Sequence, residues 1–128
     1  MAIMVVRLGT ERSEDEGMRI GTVRRPPRGV TKDRYAQENW FDVWLPELSP
    51  EPETMKLGKE AADEKSWLNF QKKFTAELKT PEKQHLLQLL AGFSKQTNFS
   101  IGCYCEDESR CHRSILATML AQHGADIK

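Results

Sequence analysis

The residues of this chain best suited to chemistry lie close together, between positions 103 and 113. This run contains all three cysteines, one of the three histidines and two arginines: Cys103, Cys105, Arg110, Cys111, His112 and Arg113. Cysteines provide nucleophiles or metal ligands, histidines carry protons, and arginines bind phosphate or carboxylate groups. The pattern predicts a strand that ends where a helix begins, the place at which α/β proteins most often bind their ligands.

The start of this last helix has an unusual predicted charge. We expect the helix to begin near Ser109, so that its first turn contains Arg110, Cys111, His112 and Arg113. Helix N-termini carry a partial positive charge and favour acidic residues rather than arginines. A bound anion would relieve the conflict, held by backbone N–H groups and an arginine side chain together. The same field would favour the thiolate form of Cys111.

A purely structural interpretation of this cluster stays open. The acidic residues Glu106, Asp107 and Glu108 lie immediately upstream and would neutralise the arginines without any ligand. Strand alternation predicts that Cys103 and Cys105 share one face near the end of the strand. They would then be small core residues, since free cysteines are often buried and inert.

A metal site is another open interpretation. Three cysteines and a histidine supply the ligand types of a structural zinc site: Cys103, Cys105, Cys111 and His112. The spacing argues against it, because zinc ligands usually pair across about two to four residues, whereas Cys111 and His112 are adjacent. Adjacent helical side chains also point about 100° apart. We therefore predict no cofactor, with zinc as the alternative.

A second group of cations forms the segment Arg24–Lys32, called here the basic loop. It contains three arginines and a lysine around the pair Pro26-Pro27. If the strand before this loop runs beside the last strand, the loop lies near the start of the last helix. Arg24 and Arg28 would then join the same anion site, since arginine makes a planar, two-pronged contact with phosphate or carboxylate.

An aromatic block follows the basic loop. Trp40, Phe41, Trp44 and Trp67 are predicted to be core residues, as aromatic clusters usually are. Asp42 lies within this block, and a carboxylate among aromatic rings acts as a general base or as the partner of an arginine. A salt bridge to the basic loop is the simpler interpretation of Asp42.

Composition limits the class of protein. A chain of 128 residues, with 38% hydrophobic and 30% charged residues, suits a single globular domain spanning 1–128. Lys plus Arg equals Asp plus Glu, at 19 each, so no overall field attracts nucleic acid or an anionic membrane. The first apolar run, Ala2 to Val6, is too short for a signal peptide or a membrane span. An odd number of cysteines without a secretory signal predicts reduced thiols in a cytoplasmic protein.

The hydrophobic patterns predict an α/β domain. Strands are expected at Ile3–Leu8, Arg19–Arg24 and Asn98–Cys105, with a third strand or an ordered loop in Trp40–Leu48. Apolar residues at helical spacing predict three helices: Trp67, Phe70, Phe74 and Leu78 in the first, Leu86, Leu89, Leu90 and Phe93 in the second, and Ile115, Leu116, Met119 and Leu120 in the last. We expect a single layered domain whose central, mostly parallel sheet has helices packed on its faces.

Four motifs of this chain resemble those of the domain of unknown function 488 family. They are Arg24 with Pro27-Arg28-Gly29, then Asp42-Val43-Trp44-Leu45, the cysteine-terminated strand, and Cys111-His112-Arg113-Ser114. The resemblance extends from about Arg19 to about Ala121 and implies a bacterial, cytoplasmic α/β domain with no assigned activity. It departs at Val23 and Pro26, where related sequences often have an acidic residue and a tryptophan. The residues that the resemblance carries over are Arg24, Arg28, Asp42, Cys105, Cys111, His112 and Arg113.

These observations favour a pocket for a small anion, a phosphate or a carboxylate, at the end of the last strand. The candidate anion ligands are three arginines: Arg24, Arg28 and Arg113. The candidate catalytic groups of a thiol-dependent enzyme are Cys105, Cys111, His112 and Asp42. A non-catalytic binding module, or one stabilised by a metal, is the alternative. Nucleic-acid association through the basic loop is less favoured, because the chain carries no net charge.

Overall fold

A four-stranded sheet lies at the centre of the computed structural model, which describes residues 1–105 and 111–128. The strands are β1 (Ile3–Arg7), β2 (Met18–Gly21), β3 (Val43–Trp44) and β4 (Phe99–Cys103), in the spatial order β1-β4-β2-β3. Each neighbouring pair is parallel. The helices of the described residues are α1 (Pro52–Glu60), α2 (Glu64–Glu77), α3 (Pro81–Phe93) and α4 (His112–Gln122), with short 3-10 turns at Lys32–Arg34 and Pro46–Leu48. The α/β prediction is confirmed.

β4 is the central strand and is buried along its whole length. It pairs with β1 on one side and β2 on the other, so that Ile101 lies between Val5 and Ile20. On one face of β4, Phe99 and Ile101 pack in the core with the helices, and on the other face the Ser100 hydroxyl donates to the loop residue Glu16, so both faces of the strand are covered. The sequence places this strand correctly but extends it too far, because the strand ends at Cys103 rather than Cys105.

α2 carries the predicted apolar stripe. Trp67, Phe70 and Phe74 are buried, as is Leu78 at the C-cap. α1 packs against α2 where Gly58 meets the Phe70 ring, and a Cβ at Gly58 would lie 2.9 Å from that ring. α1 is not among the helices predicted from the hydrophobic pattern, although Pro52 at a first helical position is a common start signal.

α3 begins at Pro81 after the N-cap residue Thr80, and the face that it buries differs from the predicted one. The buried residues of α3 are Leu87, Leu90 and Ala91. The prediction is wrong for two others: 54% of Leu89 and 48% of Phe93 are exposed. The helix has apolar residues on more than one face, so helical spacing alone does not identify the face that contacts the core.

α4 begins later than predicted. Its first residue is His112, and Cys111 is the N-cap residue, with an extended backbone at φ −126° and ψ 151°. The predicted start near Ser109, the placement of Arg110 and the neutralising role of Glu106, Asp107 and Glu108 all lie outside the described residues. The predicted inward residues of α4 are buried: Ile115, Leu116, Met119 and Leu120. Among the helices that the structure describes, none has the length and apolarity needed to cross a bilayer.

The aromatic block is only partly in the core. Phe41 and Trp67 are buried, as predicted. Trp44 is 40% exposed because it lies on β3, a two-residue strand at the edge of the sheet. Its indole N–H donates to the Val23 carbonyl at 2.7 Å. Edge strands present one side to solvent, which the residue pattern alone does not reveal.

A buried ion pair links the loops at the amino end of the sheet. The Arg19 guanidinium donates twice to Glu16, at 2.7 and 2.8 Å, and both side chains are at most 2% exposed. Arg19 also donates to the carbonyls of Thr10 and Asn39, and the Ser100 hydroxyl donates to Glu16. The acidic stretch Thr10 to Gly17 is predicted from its composition to be a solvated loop, and that prediction is wrong at Glu16, which is buried. Each of the contacts around Arg19 joins a loop to β2 or β4.

Replacing Glu16 tests how much this pair contributes to stability. Burial raises the pKa of the Glu16 carboxyl, but hydrogen bonds from Arg19 and Ser100 outweigh it and lower the pKa below its ordinary 4.5. Glu16→Gln leaves Arg19 without a countercharge, and breaking a buried pair costs about 3–5 kcal/mol. We expect a loss of this order in urea unfolding at pH 7. The stability that the ionised Glu16 carboxyl provides is complete above pH 4.5 and is lost as pH falls through the pKa of the folded state. The unfolding free energies of wild type and Glu16→Gln therefore converge in acid.

The neighbouring exposed pair provides the control. Asp15 contacts Lys128 at 2.7 Å, with both side chains 57% exposed. Exposed pairs contribute little because water and salt screen them. Asp15→Asn should leave the unfolding midpoint close to wild type. Equal losses from Glu16→Gln and Asp15→Asn would contradict the assigned role of the buried pair.

Candidate functional site

A cavity of about 490 Å³ opens at the carboxyl ends of β2 and β4. It is formed by the basic loop, α1, the end of β4 and the start of α4. Its lining residues are Val23, Arg24, Arg25, Arg28, Pro52, Met55, Lys59, Cys103, Tyr104, Cys105 and His112. Open parallel sheets bind ligands in crevices at this end of their strands.

The cavity lining is strongly basic. It includes four cations, Arg24, Arg25, Arg28 and Lys59, and no carboxylate among its described residues. Arg24 is held in place because its guanidinium donates to the carbonyls of Ser49 and Pro50, at 2.8 and 3.1 Å. These carbonyls fix the group without neutralising its charge. One acid outside the lining, Glu51, lies 3.7 Å from Arg24 and is 55% exposed.

Tyr104 fastens the basic loop to the end of β4. Its hydroxyl donates to the Arg25 carbonyl at 2.9 Å, and its ring packs edge-on against Trp40. Burial raises the pKa of Tyr104 to about 12, so the hydroxyl stays protonated and remains a donor. Gly29 supplies the turn of the loop, with φ at 73°. β2 runs beside β4, so the predicted approach of the basic loop to the start of α4 is confirmed.

His112 is fixed at the buried side of the cavity. Its Nε2 lies 2.5 Å from the Thr22 carbonyl oxygen, and the side chain is nearly inaccessible. A carbonyl only accepts hydrogen bonds, so Nε2 carries the proton and donates. Burial, with the charges of Arg113 and Arg24 adding to it, lowers the pKa of His112 to about 4. The imidazole is therefore neutral at pH 7, and its Nδ1 carries an unshared electron pair.

That nitrogen faces two cysteine sulfurs. Nδ1 of His112 lies 3.8 Å from the Cys111 sulfur, and the Sγ atoms of Cys103 and Cys111 are in contact. The three ligand atoms lie within 4.8 Å of one another, and all three residues are buried. The prediction of reduced thiols is therefore wrong for Cys103 at the end of β4 and Cys111 at the start of α4, whose sulfurs lie within bonding distance of each other.

Cys105 is in a different environment. It is exposed, makes no bond to the other sulfurs, and lines the cavity. The sequence placed Cys103 and Cys105 on one face, but β4 ends at Cys103, so the alternation does not continue to Cys105. Among the described residues, Cys105 is thus the thiol that a molecule in the cavity would meet.

Two of the predicted site residues lie elsewhere. Arg113 is buried and donates to the Val6 carbonyl of β1 at 2.7 Å, and it is not part of the cavity lining. Asp42 precedes β3 at the amino end of the sheet. It accepts two hydrogen bonds from Arg12, at 2.7 and 3.1 Å, and one from the Arg19 backbone at 2.8 Å. Its arginine partner is therefore Arg12 and not the basic loop.

Several residues of the cavity were not identified from the sequence. Lys59 and Met55 come from α1, which the sequence analysis did not assign. The Thr22 backbone carbonyl holds His112 in place. A backbone group of this kind cannot be recognised from the residue type. Tyr104 follows the strand directly and offered one signal, a polar aromatic residue between two cysteines. The arrangement as a whole can bind an anion beside an exposed thiol and a neutral, oriented imidazole.

Comparison with known proteins gives one result. No curated protein and no solved structure matched the chain. A family model described as the active DUF488-N3 subclade matches residues 3–124. The match spans the sheet, the basic loop and the cysteine-rich end of β4, and it confirms the resemblance seen in the sequence motifs. The chain therefore belongs to the DUF488 family.

Proposed function

We propose that this protein binds a small phosphorylated or carboxylated molecule in the basic cavity. The observation that carries the proposal is the convergence of four cations on one cavity whose described lining has no carboxylate. Like charges repel one another, and a bound anion would reduce this repulsion. The ligand class follows from the side chains, because arginine forks match the geometry of phosphate and carboxylate oxygens.

The size and walls of the cavity fit a small molecule. Ligand pockets usually measure roughly 300–1,000 Å³, and this cavity measures about 490 Å³. Val23, Pro52 and Met55 provide apolar wall beside the cations. Apolar walls strengthen charge interactions by excluding water. A nucleic acid fits less well, since it needs an extended basic surface and the chain has no net charge.

Removal of one cation from each side of the cavity tests the proposal. Arg28→Ala acts on the basic loop and Lys59→Ala on α1. Each should weaken the binding of inorganic pyrophosphate about tenfold, since a hydrogen bond to a charged group contributes about 1.5–3 kcal/mol. Isothermal titration at low salt measures this change.

Matched controls are cations outside the cavity. Arg34, paired with Glu38, serves for Arg28, and Lys95, paired with Asp126, serves for Lys59. Arg34→Ala and Lys95→Ala should bind pyrophosphate as wild type does. A wild-type protein that binds neither pyrophosphate nor citrate, or controls that lose as much affinity, would refute the proposal.

A second candidate function is thiol-dependent group transfer at the same cavity. Cys105 is an exposed, free thiol within the lining, and the matched family model is described as active. In such a reaction the Cys105 thiol first loses its proton to water, and the thiolate attacks an acyl or phosphoryl group of the bound anion. A bond to sulfur forms, the bond to the leaving group breaks, and the leaving group takes up a proton from water. Hydrolysis by water then restores the thiol.

Charge-selective alkylation tests whether Cys105 and the cations act together. Iodoacetate is an anion and iodoacetamide is neutral, although both form the same kind of bond to sulfur with loss of iodide. We expect the ratio of their rates at Cys105 to fall about tenfold in Arg28→Ala, corresponding to about 1.4 kcal/mol of lost attraction. Mass spectrometry of the labelled peptides measures the rates.

A competing anion and two further variants identify the residue that reacts. Pyrophosphate should slow the reaction with iodoacetate, and Cys105→Ser should abolish it in the native protein. Arg34→Ala should keep the wild-type ratio. Equal ratios in wild type and Arg28→Ala would show that the thiol is not part of the anion site, while leaving pyrophosphate binding to be judged by titration.

A further inference from the structure

We infer that Cys103, Cys111 and His112 form a zinc site in the wall of the cavity, with a fourth coordination position open to the cavity. The inference goes beyond anion binding and does not depend on it. It rests on the convergence of three buried ligand atoms from two elements, the end of β4 and the start of α4.

The distances between the ligand atoms suit a tetrahedral ion. Zinc binds thiolate sulfur at about 2.3 Å and imidazole nitrogen at about 2.0–2.1 Å, so neighbouring ligand atoms lie roughly 3.5–3.8 Å apart. Nδ1 of His112 lies 3.8 Å from the Cys111 sulfur, and all three ligand atoms lie within 4.8 Å. The two sulfurs lie within bonding distance of each other, so a thiol reductant must supply two electrons and convert them to two thiolates before an ion binds between them.

The backbone spacing favours an ion between the sulfurs over a direct bond. The Cα atoms of Cys103 and Cys111 are 7.7 Å apart. Disulfides usually span about 4.4–6.8 Å between Cα atoms, and a separation beyond about 7 Å requires backbone movement. An ion that joins two thiolates bridges a wider gap.

The hydrogen bond of His112 is the kind that orients a metal ligand. Metal-bound histidines almost always donate their other ring N–H to a carbonyl or carboxylate, which fixes the tautomer and the ring orientation. Here the Thr22 carbonyl accepts from Nε2 at 2.5 Å. The Nδ1 electron pair is thereby directed at the two sulfurs. An edge-on contact between the His112 and Phe74 rings restricts rotation of the imidazole further.

The objection drawn from the sequence does not apply to this geometry. Adjacent helical residues diverge by about 100°, but Cys111 is the N-cap residue of α4 and has an extended backbone. Cys111 and His112 can therefore both face Cys103. A set of two sulfurs and one imidazole selects zinc over magnesium or calcium, which prefer oxygen ligands.

The fourth position follows from the cavity lining. Cys103 and His112 both line the cavity, so one side of the site faces that space. Three protein ligands with an open position are typical of catalytic zinc, whereas structural zinc has four. Two thiolates neutralise the ion, so the centre adds no net charge beside the cations. If the cavity also binds an anion, as proposed above, the ion would polarise one of its oxygens.

Metal content and cobalt substitution test the inference. Protein purified in reductant should contain about one zinc per chain by mass spectrometry of the metal. After chelation, cobalt should bind with intense visible bands of a tetrahedral site and a thiolate charge-transfer band. Cys103→Ser and Cys111→Ser should lose the metal, and His112→Gln should bind it about tenfold or more weakly. Cys105→Ser is the matched control and should keep both the zinc and the cobalt spectrum.

Separate readings test the site, its ligand set and its open position. Wild-type protein that takes up neither zinc nor cobalt, with Cys103 and Cys111 recovered as a disulfide, would overturn the site without requiring any variant to fold. Loss of metal in Cys105→Ser would make the site a closed one and overturn the open position. Imidazole, a neutral ligand, should shift the cobalt bands, and an unchanged spectrum would also overturn the open position. Because imidazole does not need the arginines, these results are independent of pyrophosphate binding.

Discussion

The hydrogen bond from His112 to the Thr22 carbonyl is the interaction on which the cavity depends. It joins the first residue of α4 to Thr22, the residue that follows β2, and β2 lies next to β4 in the sheet. The bond requires a proton on Nε2, which the neutral ring has when Nδ1 is unprotonated and which the charged ring always has. Burial favours the neutral form. A second hydrogen bond, from the Thr22 hydroxyl to the Gly102 carbonyl at 3.0 Å, fixes the acceptor in turn. The tautomer of the imidazole and its orientation toward the sulfurs are therefore set by one backbone carbonyl.

The two ends of the sheet differ in how their charged side chains are paired. At the amino end, Arg19 is buried with Glu16, and the pair is surrounded by carbonyl and hydroxyl partners. Such a saturated cluster holds loops together and has no capacity left for a ligand. At the carboxyl end, four cations surround a cavity without a carboxylate in its described lining. The contrast supports placing the proposed anion site at the carboxyl end, which is also the end where α/β sheets carry their sites.

The sequence predicted the class of fold and much of the site because both leave local signals. The stripe of Trp67, Phe70 and Phe74 identified α2, and the cluster of cysteines, histidine and arginines marked the end of β4. What it missed depends on tertiary contacts. Lys59 enters the cavity only through the packing of α1 on α2, and Arg113 points to β1 because α4 begins at His112. No residue pattern distinguishes an arginine that binds a carbonyl of its own chain from one that faces a cavity.

The position of β4 in the sheet has a consequence for how the chain folds. β1 and β2 do not pair with each other, and each requires β4, which lies almost a hundred residues beyond Ile3. During synthesis, until β4 has left the ribosome, β1 has no partner strand in the sheet and β2 can pair only with β3. Contacts so distant in sequence form slowly, and unpaired edges favour aggregation. The cavity is completed last, because its floor is made from the end of β4 and the helix that follows, so partial chains carry no site.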